Sequence, residues 1–440
     1  MSDVKRSAGV ADCPCRDDMF PGAPRSRRGL LLTAGSAAGT AALLARPTAV
    51  LAAPAPPGAV AYEVPADPAK EQGRPAGKDG GYGTRSQFET AVRALAPNAN
   101  AYATWTLTPL ADLVGTLTPS GLHYERHHNG IPAIDPAKHR LALHGLVGTP
   151  KRFTMADLRR MPSVTRRHFI ECSGNTHMGW DGPPARTVQQ SHGLLSTSEW
   201  TGVRFSDLAR EAGLKPEGTW VLAEGTDGAV MTRSIPMEKM LRDALIAYGQ
   251  NGEAIRPEQG YPLRLVLPGY EGNTHIKWLQ SLQVSDTPFM TREETSKYTD
   301  LMPDGKAWQF VFEMDAKSVI TFPSGEMRLP APGFYEITGL AWSGRGRISG
   351  VEVSTDGGGT WQGAALDGTP EPICTVRFKL PWRWEGQPAV LLSRCRDETG
   401  YTQPSRTQLV EQRGLNAHYH YNGIQAWSVA ADGTVEHVAA

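Results

Sequence analysis

The stretch Phe169-Ile-Glu-Cys172-Ser-Gly-Asn175 decides how this 440-residue chain is interpreted. The apolar residues before the cysteine predict a strand, and the Ser-Gly-Asn sequence after it predicts an abrupt turn. A cysteine at such a break presents a thiolate that can act as a nucleophile or as a ligand to a soft metal. The small residues beside it allow a bulky group to approach the backbone. A buried, unreactive cysteine is the alternative that this pattern leaves open.

The sequence on both sides of this turn predicts a mixed domain of strands and short helices. Thr154 is the expected N-cap of a helix that ends at Arg160, and Gly213 is expected to stop the helix Phe205–Ala212. Short strands are predicted at residues 140–145, 167–171, 219–223 and 263–267. Because these elements lack a regular βαβ alternation, we predict an α+β fold over residues 101–315 rather than a doubly wound sheet.

A second domain is predicted over residues 316–440, where short alternating runs recur between turn signals. The runs cover residues 334–342, 348–354, 376–380 and 389–395. The sequence Asp356-Gly-Gly-Gly359 is expected at a hairpin tip. This pattern is typical of an immunoglobulin-like β-sandwich. Cys374 and Cys395 both fall within it, and the pattern leaves open whether they form a disulfide or remain two buried free thiols.

The N-terminus has the features of an export signal. Arg27-Arg28 is followed by a modestly apolar run to Ala45 and by small residues at 49–53. The run is too short and too rich in Ala, Gly and Thr for a membrane span. We predict that residues 1–53 are a twin-arginine signal peptide and that residues 54–100 form an extended arm. The expected location of the folded protein is the periplasm, with no membrane span.

Composition argues against a nucleic-acid partner but is compatible with binding of a smaller anion. Lys and Arg total 45, and Asp and Glu also total 45, so the formal net charge is zero. A protein that binds nucleic acid by neutralising phosphates is basic, so no nucleic-acid partner is expected. Side chains suited to binding a smaller anion are Arg126, His127, His128, Arg264, His275 and Lys277. The histidines near residue 125 lack the paired spacing that is typical of a zinc site.

Several motifs, in the same order along the chain, resemble those of the sulfite oxidase family of molybdopterin enzymes. They cover residues 126–136, 171–175, 200–203, 247–248 with 251–252, 261–264 and 275–278. The stretches 293–305 and 316–321 are similar to one branch of that family, the molybdenum subunits of periplasmic sulfane dehydrogenases that act in thiosulfate oxidation. The resemblance implies the fold predicted above, an α+β molybdopterin domain followed by an immunoglobulin-like β-sandwich.

The resemblance also implies a molybdenum–molybdopterin cofactor, with the thiolate of Cys172 as the protein ligand to the metal. The residues that it places around the pterin and its phosphate are His128, Asp227, Gln259, Arg264, His275 and Lys277. It further implies that Tyr248 is an active-site phenol, which can donate a hydrogen bond and move a proton. Arg126 and Arg413 match arginines that bind the substrate anion.

Three positions depart from the family pattern. Gln190 stands near where sulfite-oxidising members commonly have a tryptophan, so the pocket is expected to be wider. His177 stands where sulfite-oxidising members have an arginine, so the pocket is expected to be less cationic and to hold a free dianion less strongly. Gln259 stands where the family often has a histidine, which replaces an ionisable group by a neutral amide. We therefore expect a substrate in which the sulfane sulfur is carried on the cysteine of a carrier protein.

An oxidation of this kind needs a route for the electrons. The chain has no Cys-x-x-Cys-His sequence for covalent haem and no glycine-rich dinucleotide motif. The expected acceptor is therefore a c-type cytochrome subunit, and the β-sandwich is expected to mediate a homodimer or, with the cytochrome, a heterotetramer. Two alternatives stay open at this point: a direct sulfite:cytochrome c dehydrogenase of the same fold, and an exported binding protein without catalytic activity.

Overall fold

The computed structural model describes Gly58, residues 82–96, Asn100, residues 103–181 and residues 185–439. The predicted signal peptide lies outside the described residues, as does most of the predicted arm. The chain divides into two compact units, Met1–Gly83 and Thr84–Ala440. Every helix and strand named below belongs to the second unit.

The part of the chain before residue 310 is built from short strands with short helices between them. Its strands are β1 (Ala94–Leu95), β2 (Ala103–Leu107), β3 (Glu125–His128), β4 (Arg140–Gly145), β5 (Lys151–Thr154), β6 (Ser163–Glu171), β7 (Leu195–Arg204), β8 (Trp220–Gly225), β9 (Thr232–Pro236), β10 (Leu245–Gln250), β11 (Glu253–Ala254), β12 (Arg264–Val266), β13 (Leu279–Ser285), β14 (Asp300–Leu301) and β15 (Ala307–Trp308). Its α-helices are α1 (Met155–Arg160), α2 (Val188–His192), α3 (Phe205–Ala212), α4 (Met237–Asp243) and α5 (Arg292–Thr295). Single 3-10 turns cover Ser120–Leu122, His177–Gly179, Pro257–Gln259 and Gly272–Thr274.

These strands form two larger sheets, a small sheet and a two-stranded ribbon. The small sheet has the order β1-β2-β3, and β14 pairs with β15 in the ribbon. One larger sheet has the order β11-β10-β7-β6, with β12 beside β10, and the other has the order β5-β4-β13-β8-β9. Strand β13 runs parallel to β4, whereas the other pairs in its sheet are antiparallel. One buried cluster joins both larger sheets to α1, α3 and α4, and it includes Leu143, Phe205, Val221, Met240 and Ile246.

Local sequence signals explain where several elements begin and end. Thr154 and Asp157 form a capping box at the start of α1, in which the backbone N–H of Asp157 donates to the Thr154 hydroxyl at 3.0 Å. Helix α3 ends at Gly213, whose φ of 68° lies in the left-handed region that favours glycine. Strand β6 ends directly before Cys172. The predicted caps and the strand break at the cysteine are confirmed, although α1 itself begins only at Met155.

The rest of the chain forms the predicted β-sandwich. Its elements are β16 (Lys317–Phe322), β17 (Gly333–Trp342), β18 (Ile348–Ser354), β19 (Gln362–Gly363), β20 (Ala365–Leu366), β21 (Val376–Trp384), β22 (Ala389–Asp397), α6 (Arg406–Arg413), β23 (Ala426–Val429) and β24 (Val435–Val438). The two sheets have the orders β16-β17-β21-β20 and β19-β18-β22-β23-β24. Their shared core includes Val319, Ile337, Val351, Phe378 and Leu391. The sequence 356–359 connects β18 to its antiparallel partner β19, so it lies at the expected hairpin tip.

Two cysteines of the sandwich are buried and carry free thiols. Cys374 precedes β21 in one sheet, whereas Cys395 lies on β22 in the other. Burial raises the pKa of the Cys374 thiol to about 12, and burial also raises the pKa of Cys395. The structure therefore has two inert free thiols at these positions rather than a disulfide. Among the described residues, no helix combines the length and the apolar character needed to cross a bilayer.

Gly339 packs against Phe378 so closely that a larger residue does not fit. A Cβ atom at Gly339 would lie 2.2 Å from Cζ of Phe378 and 2.4 Å from the carbonyl oxygen of Val319. We expect Gly339→Ala to destabilise the protein by about 1–3 kcal/mol, because the sandwich core must shift, and thus to lower the Tm in thermal unfolding. Gly350→Ala on β18 is the control, since no atom lies within 4 Å of its added Cβ. Equal Tm values for the two variants would contradict this account.

Candidate active site

A cleft of about 630 Å³, its open mouth included, lies where the turn after β6 meets β3 and the segments on either side of β12. The predicted site residues that it brings together are Arg126, His128, Cys172, Asp227, Gln259, Arg264, His275 and Lys277. The other residues that line it are Tyr124, His127, Met231, Gly272, Asn273, Ile276, Trp278 and Tyr298. Because distant parts of the sequence converge here on a cysteine and several cations, this cleft is the candidate active site.

Backbone hydrogen bonds hold the turn that carries Cys172. The Cys172 N–H donates to the carbonyl oxygen of Leu194 at 3.0 Å, and the Asn175 N–H donates to the carbonyl oxygen of Cys172 at 2.8 Å. Gly272 lies against the same turn, and a Cβ there would be 2.8 Å from the carbonyl oxygen of Glu171. This close approach requires glycine. The half-buried side chain of Cys172 is thereby presented to the cleft.

The surroundings of Cys172 favour the protonated thiol. Burial raises its pKa, while the Arg126 guanidinium and the backbone N–H of Gly174 act in the opposite direction, and the net shift is upward. A thiol must lose its proton to bind a metal, so metal binding at Cys172 would release a proton. The thiol is therefore suited to a ligand role rather than to free nucleophilic attack.

Two cations, the buried Arg264 and the half-buried Lys277, line the cleft without an ion-pair partner among the described residues. The Nη1 atom of Arg264 donates to the backbone oxygen and to Oε1 of Gln259, each at 3.1 Å. The Nε atom of Arg264 has no hydrogen-bond partner among the described residues. The Lys277 Nζ donates to the carbonyl oxygen of Glu258 at 3.0 Å. Burial and repulsion by Arg264 hold the pKa of Lys277 well below its ordinary value, and burial lowers the pKa of Arg264 to about 10. A bound anion would stabilise both charged groups.

The amide of Gln259 orients one of these cations. Its Nε2 donates to the carbonyl oxygen of Tyr124 at 2.8 Å and to that of His123 at 3.3 Å, which leaves Oε1 to accept from Arg264. The neutral residue that departs from the family pattern is thus a fixed acceptor for the guanidinium. Gln259 lines the cleft, and its contacts are to Arg264 and the backbone.

His275 and Asp227 line the cleft and hold nearby backbone. The Nδ1 atom of His275 accepts from the Leu267 N–H at 3.3 Å, and its Nε2 donates to the carbonyl oxygen of Tyr270 at 3.1 Å. Burial and Arg264 keep the pKa of His275 well below its ordinary value, so the ring is neutral. The carboxylate of Asp227 accepts from the Met231 N–H at 3.0 Å. His275 therefore shapes the cleft wall, and neither of its nitrogens is left over for a phosphate.

Strand β3 carries two side-chain pairs that alternate along it, as strand geometry requires. Arg126 donates from Nη2 to Nε2 of His128 at 2.9 Å and from Nη1 to the carbonyl oxygen of His127 at 2.8 Å. Burial and Arg126 lower the pKa of His128 to about 4, so its neutral ring accepts this hydrogen bond. Glu125 and His127 form the second pair, with 3.1 Å between Oε2 and Nε2. These contacts fix the Arg126 guanidinium in the same cleft as Cys172.

Across residues 82–96, 103–181 and 185–439, no three His, Cys, Asp or Glu side chains are arranged to hold a metal ion.

Three residues predicted to be catalytic are not among those that line the cleft. Tyr248 is half-buried and packs against the core of the first domain, because the register of β10 shifts between Ala247 and Gly249. His177 is exposed, and its Nδ1 donates to the backbone of its own turn at 3.0 Å. Arg413 on α6 is held by two carboxylates, at 3.7 Å from Asp300 and 3.4 Å from Asp315. The expectation that all three reach the pocket is corrected accordingly.

Two tyrosines line the cleft, Tyr124 and, within the stretch 293–305, Tyr298. The ring centroid of Tyr298 lies 5.2 Å from that of Tyr419 and 5.1 Å from the guanidinium carbon of Arg233. Burial and the nearby Cys172 raise the pKa of Tyr298, so the hydroxyl is protonated at neutral pH and can donate a hydrogen bond. Tyr298 lies between α5 and β14. It belongs to the stretch 293–305 that resembles the family, and this resemblance is the sequence feature that could have identified it.

The fold and the cleft together define a molybdopterin-dependent oxidoreductase built from two modules. A family model described as an oxidoreductase molybdopterin binding domain matches residues 128–293. A second, described as a Mo-co oxidoreductase dimerisation domain, matches residues 308–426.

Comparison with similar proteins shows the family to which the chain belongs. The crystal structure of the sulfane dehydrogenase SoxCD from Paracoccus pantotrophus is 45% identical, with a TM-score of 0.82, and the match covers 84% of this chain and 96% of that one. Sulfite oxidase of Gallus gallus is 32% identical over 295 residues, or 62% of this chain and 64% of that protein. The NADH nitrate reductase of Ulva prolifera is 32% identical over 58% of this chain, which spans only 33% of that protein. The chain belongs to the sulfite oxidase family of molybdopterin enzymes.

The residues of the cleft fit the molybdenum–molybdopterin cofactor of this family. Cys172 offers a soft sulfur ligand for the metal. Arg264 and Lys277 are cations that a phosphate group would neutralise. Nε of Arg264 and Nδ1 of His127 are buried and have no hydrogen-bond partner among the described residues. Asp227 can accept hydrogen bonds from the N–H groups of a pterin. These residues would therefore hold the metal, the phosphate and the ring, respectively.

Removing one of the two cations should weaken retention of the cofactor. Lys277→Met keeps the length of the side chain but removes a charge-assisted contact of about 1.5–3 kcal/mol, so we expect about ten- to a hundredfold weaker retention. Molybdenum analysis and pterin fluorescence after extended dialysis measure it. Lys138→Met is the control, because Lys138 is exposed and outside the cleft. Equal cofactor content in the two variants would count against a phosphate site at Lys277.

Two conservative variants test which tyrosine serves the reaction. Tyr298→Phe removes the hydroxyl of Tyr298 and keeps its ring. We expect the chemical step to slow by about a hundredfold or more, because a proton transfer or a hydrogen bond in the transition state is lost. Tyr248→Phe is the matched control and should react at nearly the wild-type rate. Single-turnover reduction of the loaded enzyme measures both. A slow Tyr248→Phe variant beside a normal Tyr298→Phe variant would restore the original assignment.

Proposed function

We propose that this protein is the molybdenum subunit of a periplasmic sulfane dehydrogenase. It oxidises sulfane sulfur bound to a carrier-protein cysteine and passes the electrons to a c-type cytochrome. The observation that carries the proposal is the 45% identity over 96% of the solved sulfane dehydrogenase chain. The cleft that joins Cys172 to Arg126 and Tyr298 agrees with it.

Four cleft residues have a role in this reaction, namely Cys172, Arg264, Arg126 and Tyr298. When bound, the molybdenum centre would accept two electrons from the sulfur and support oxygen transfer. Cys172 holds the metal and Arg264 binds the phosphate of the cofactor. Arg126 binds and orients the anionic end of the substrate, while the hydroxyl of Tyr298 donates a hydrogen bond to a substrate or product oxygen.

The distribution of charge supports a protein-borne substrate over a free dianion. Arg126 is the cation that acts most strongly on Cys172, and position 177 carries an exposed histidine outside the cleft. A free dianion must obtain its binding energy from the few groups near the metal. A carrier protein also gains contacts outside the cleft, and this remote binding energy can position the reacting sulfur.

Location and partners are part of the same proposal. The Arg27-Arg28 sequence supports export of the folded protein to the periplasm. Oxidation of sulfur removes electrons in pairs, whereas a haem accepts them singly, so a cytochrome subunit is the proposed acceptor. The match to a dimerisation domain supports pairing through the β-sandwich, as a homodimer or as a heterotetramer with the cytochrome.

A direct sulfite:cytochrome c dehydrogenase is the second candidate. It is favoured by the 32% identity to sulfite oxidase of Gallus gallus over 64% of that protein. Arg126 in the cleft is a suitable group for binding sulfite.

A comparison of three electron donors distinguishes the two candidates. They are a carrier protein loaded with a cysteine persulfide, a small-molecule cysteine persulfide and free sulfite, each with ferricyanide as acceptor so that the cytochrome is not required. We expect the kcat/KM for the loaded carrier to exceed that for sulfite by about ten- to a hundredfold, the value of one missing charge-assisted contact. The small persulfide should react with a similar kcat and a higher KM, because it lacks the carrier contacts.

The opposite ranking would overturn the sulfane assignment. A kcat/KM for sulfite equal to or above that for the loaded carrier favours the sulfite dehydrogenase. Protein matured with its cofactor and active on none of the three donors would reject both candidates.

A further inference from the structure

A fully buried carboxylate lies directly before the metal-binding cysteine. Glu171 is 0% exposed and ends strand β6. Its Oε1 accepts from Nζ of Lys317 at 2.6 Å and from Nδ2 of Asn175 at 2.9 Å. Its Oε2 accepts from the indole Nε1 of Trp342 at 2.7 Å. Both oxygens are therefore hydrogen bonded, and one partner carries a compensating charge.

Two of these three donors come from the β-sandwich rather than from the cofactor domain. Lys317 begins β16 and Trp342 ends β17, and their Cα atoms are direct partners in the antiparallel register. Side chains of such a pair lie on the same face of a sheet, which explains why both reach one carboxylate. Lys317 and Trp342 are themselves 1% and 0% exposed.

The same contacts continue into the turn that presents Cys172. Asn175, which donates to Glu171, also accepts from the Leu194 N–H at 3.1 Å through Oδ1. Lys317 donates a second hydrogen bond to the hydroxyl of Thr176 at 3.1 Å, and that hydroxyl donates to the carbonyl oxygen of Tyr421 at 2.5 Å. The turn is thus fastened at residue 171 and again at residues 175–176, on both sides of the cysteine.

We propose that Lys317 and Trp342 are positioning residues for the metal ligand. They hold the Glu171 carboxylate, and through it the turn, so that Cys172 keeps the orientation needed to bind the metal. The β-sandwich then contributes to the molybdenum site itself, in addition to any role in self-association. Lys317 and Trp342 each donate directly to one oxygen of this carboxylate, so loss of either sandwich donor loosens the turn.

Trp342→Phe is the most direct test, because it keeps an aromatic ring and all charges while removing one donor. Hydrogen–deuterium exchange of the cofactor-free protein is followed in peptides that cover residues 171–180, where the amides of Cys172, Asn175 and Thr176 are hydrogen bonded. We expect about tenfold faster exchange there, the effect of losing one hydrogen bond to a charged group. In the loaded enzyme, the thiolate-to-molybdenum absorption band should shift, since the sulfur is no longer held in one orientation.

Trp384→Phe is the matched control. Trp384 is 1% exposed, ends strand β21 of the same sheet, and donates from Nε1 to the carbonyl oxygen of Gln387 at 2.7 Å. Trp384→Phe therefore also removes a buried indole hydrogen bond, here to a neutral carbonyl, that does not involve Glu171. We expect exchange in residues 171–180 and the absorption band to match the wild type.

A second variant removes the charged pair without leaving an unpaired buried charge. Glu171→Gln combined with Lys317→Met should also speed exchange in residues 171–180 by about tenfold or more. Unchanged exchange in this variant and in Trp342→Phe would overturn the proposal, and so would an equal effect in Trp384→Phe, which would indicate general loosening of the sandwich. The exchange readout needs neither cofactor nor substrate, so it is independent of whether the proposed function holds.

Discussion

Positive charge without a protein counter-ion is the constraint on which the site depends. The buried Arg264 and the half-buried Lys277 line one cleft, and neither forms an ion pair within the described residues. Burial keeps the pKa values of His123 and His275 far below neutrality. These two histidines are therefore neutral and add no positive charge to the site. The cleft is thus complementary to a ligand that is anionic in one place and offers a metal at another, which is the chemistry of a molybdopterin.

Much of this arrangement could be predicted because it follows from local sequence. The strand break at Cys172, the capping box at Thr154 and the left-handed Gly213 each depend on a few consecutive residues. Alternating runs between turn signals likewise indicated a β-sandwich. The cofactor contacts at Arg264 and Lys277 were predicted from motifs rather than from spacing, and both side chains line the cleft.

Two of the misplaced residues, Tyr248 and Arg413, were assigned from the family resemblance, and tertiary packing places both of them outside the cleft. Tyr248 follows a register shift in β10 and turns to the hydrophobic core, whereas Tyr298, on a connection between α5 and β14, reaches the cleft. Arg413 looks available in sequence, but Asp300 and Asp315 from other segments occupy its guanidinium. No pattern within a few residues carries information of this kind, because each outcome depends on which distant segment comes to lie opposite.

The pair formed by Glu171 and Lys317 has a consequence for how such proteins diversify. Lys317 is the first residue of the first strand of the sandwich, so the joint between the two modules passes through the middle of a buried ion pair. Recombination at that joint would set a foreign side chain against the carboxylate and leave a charge unmatched, at a cost that few proteins tolerate. A substitution at position 171 or position 317 alone would therefore leave a buried charge unpaired, whereas replacing both residues by uncharged ones would not.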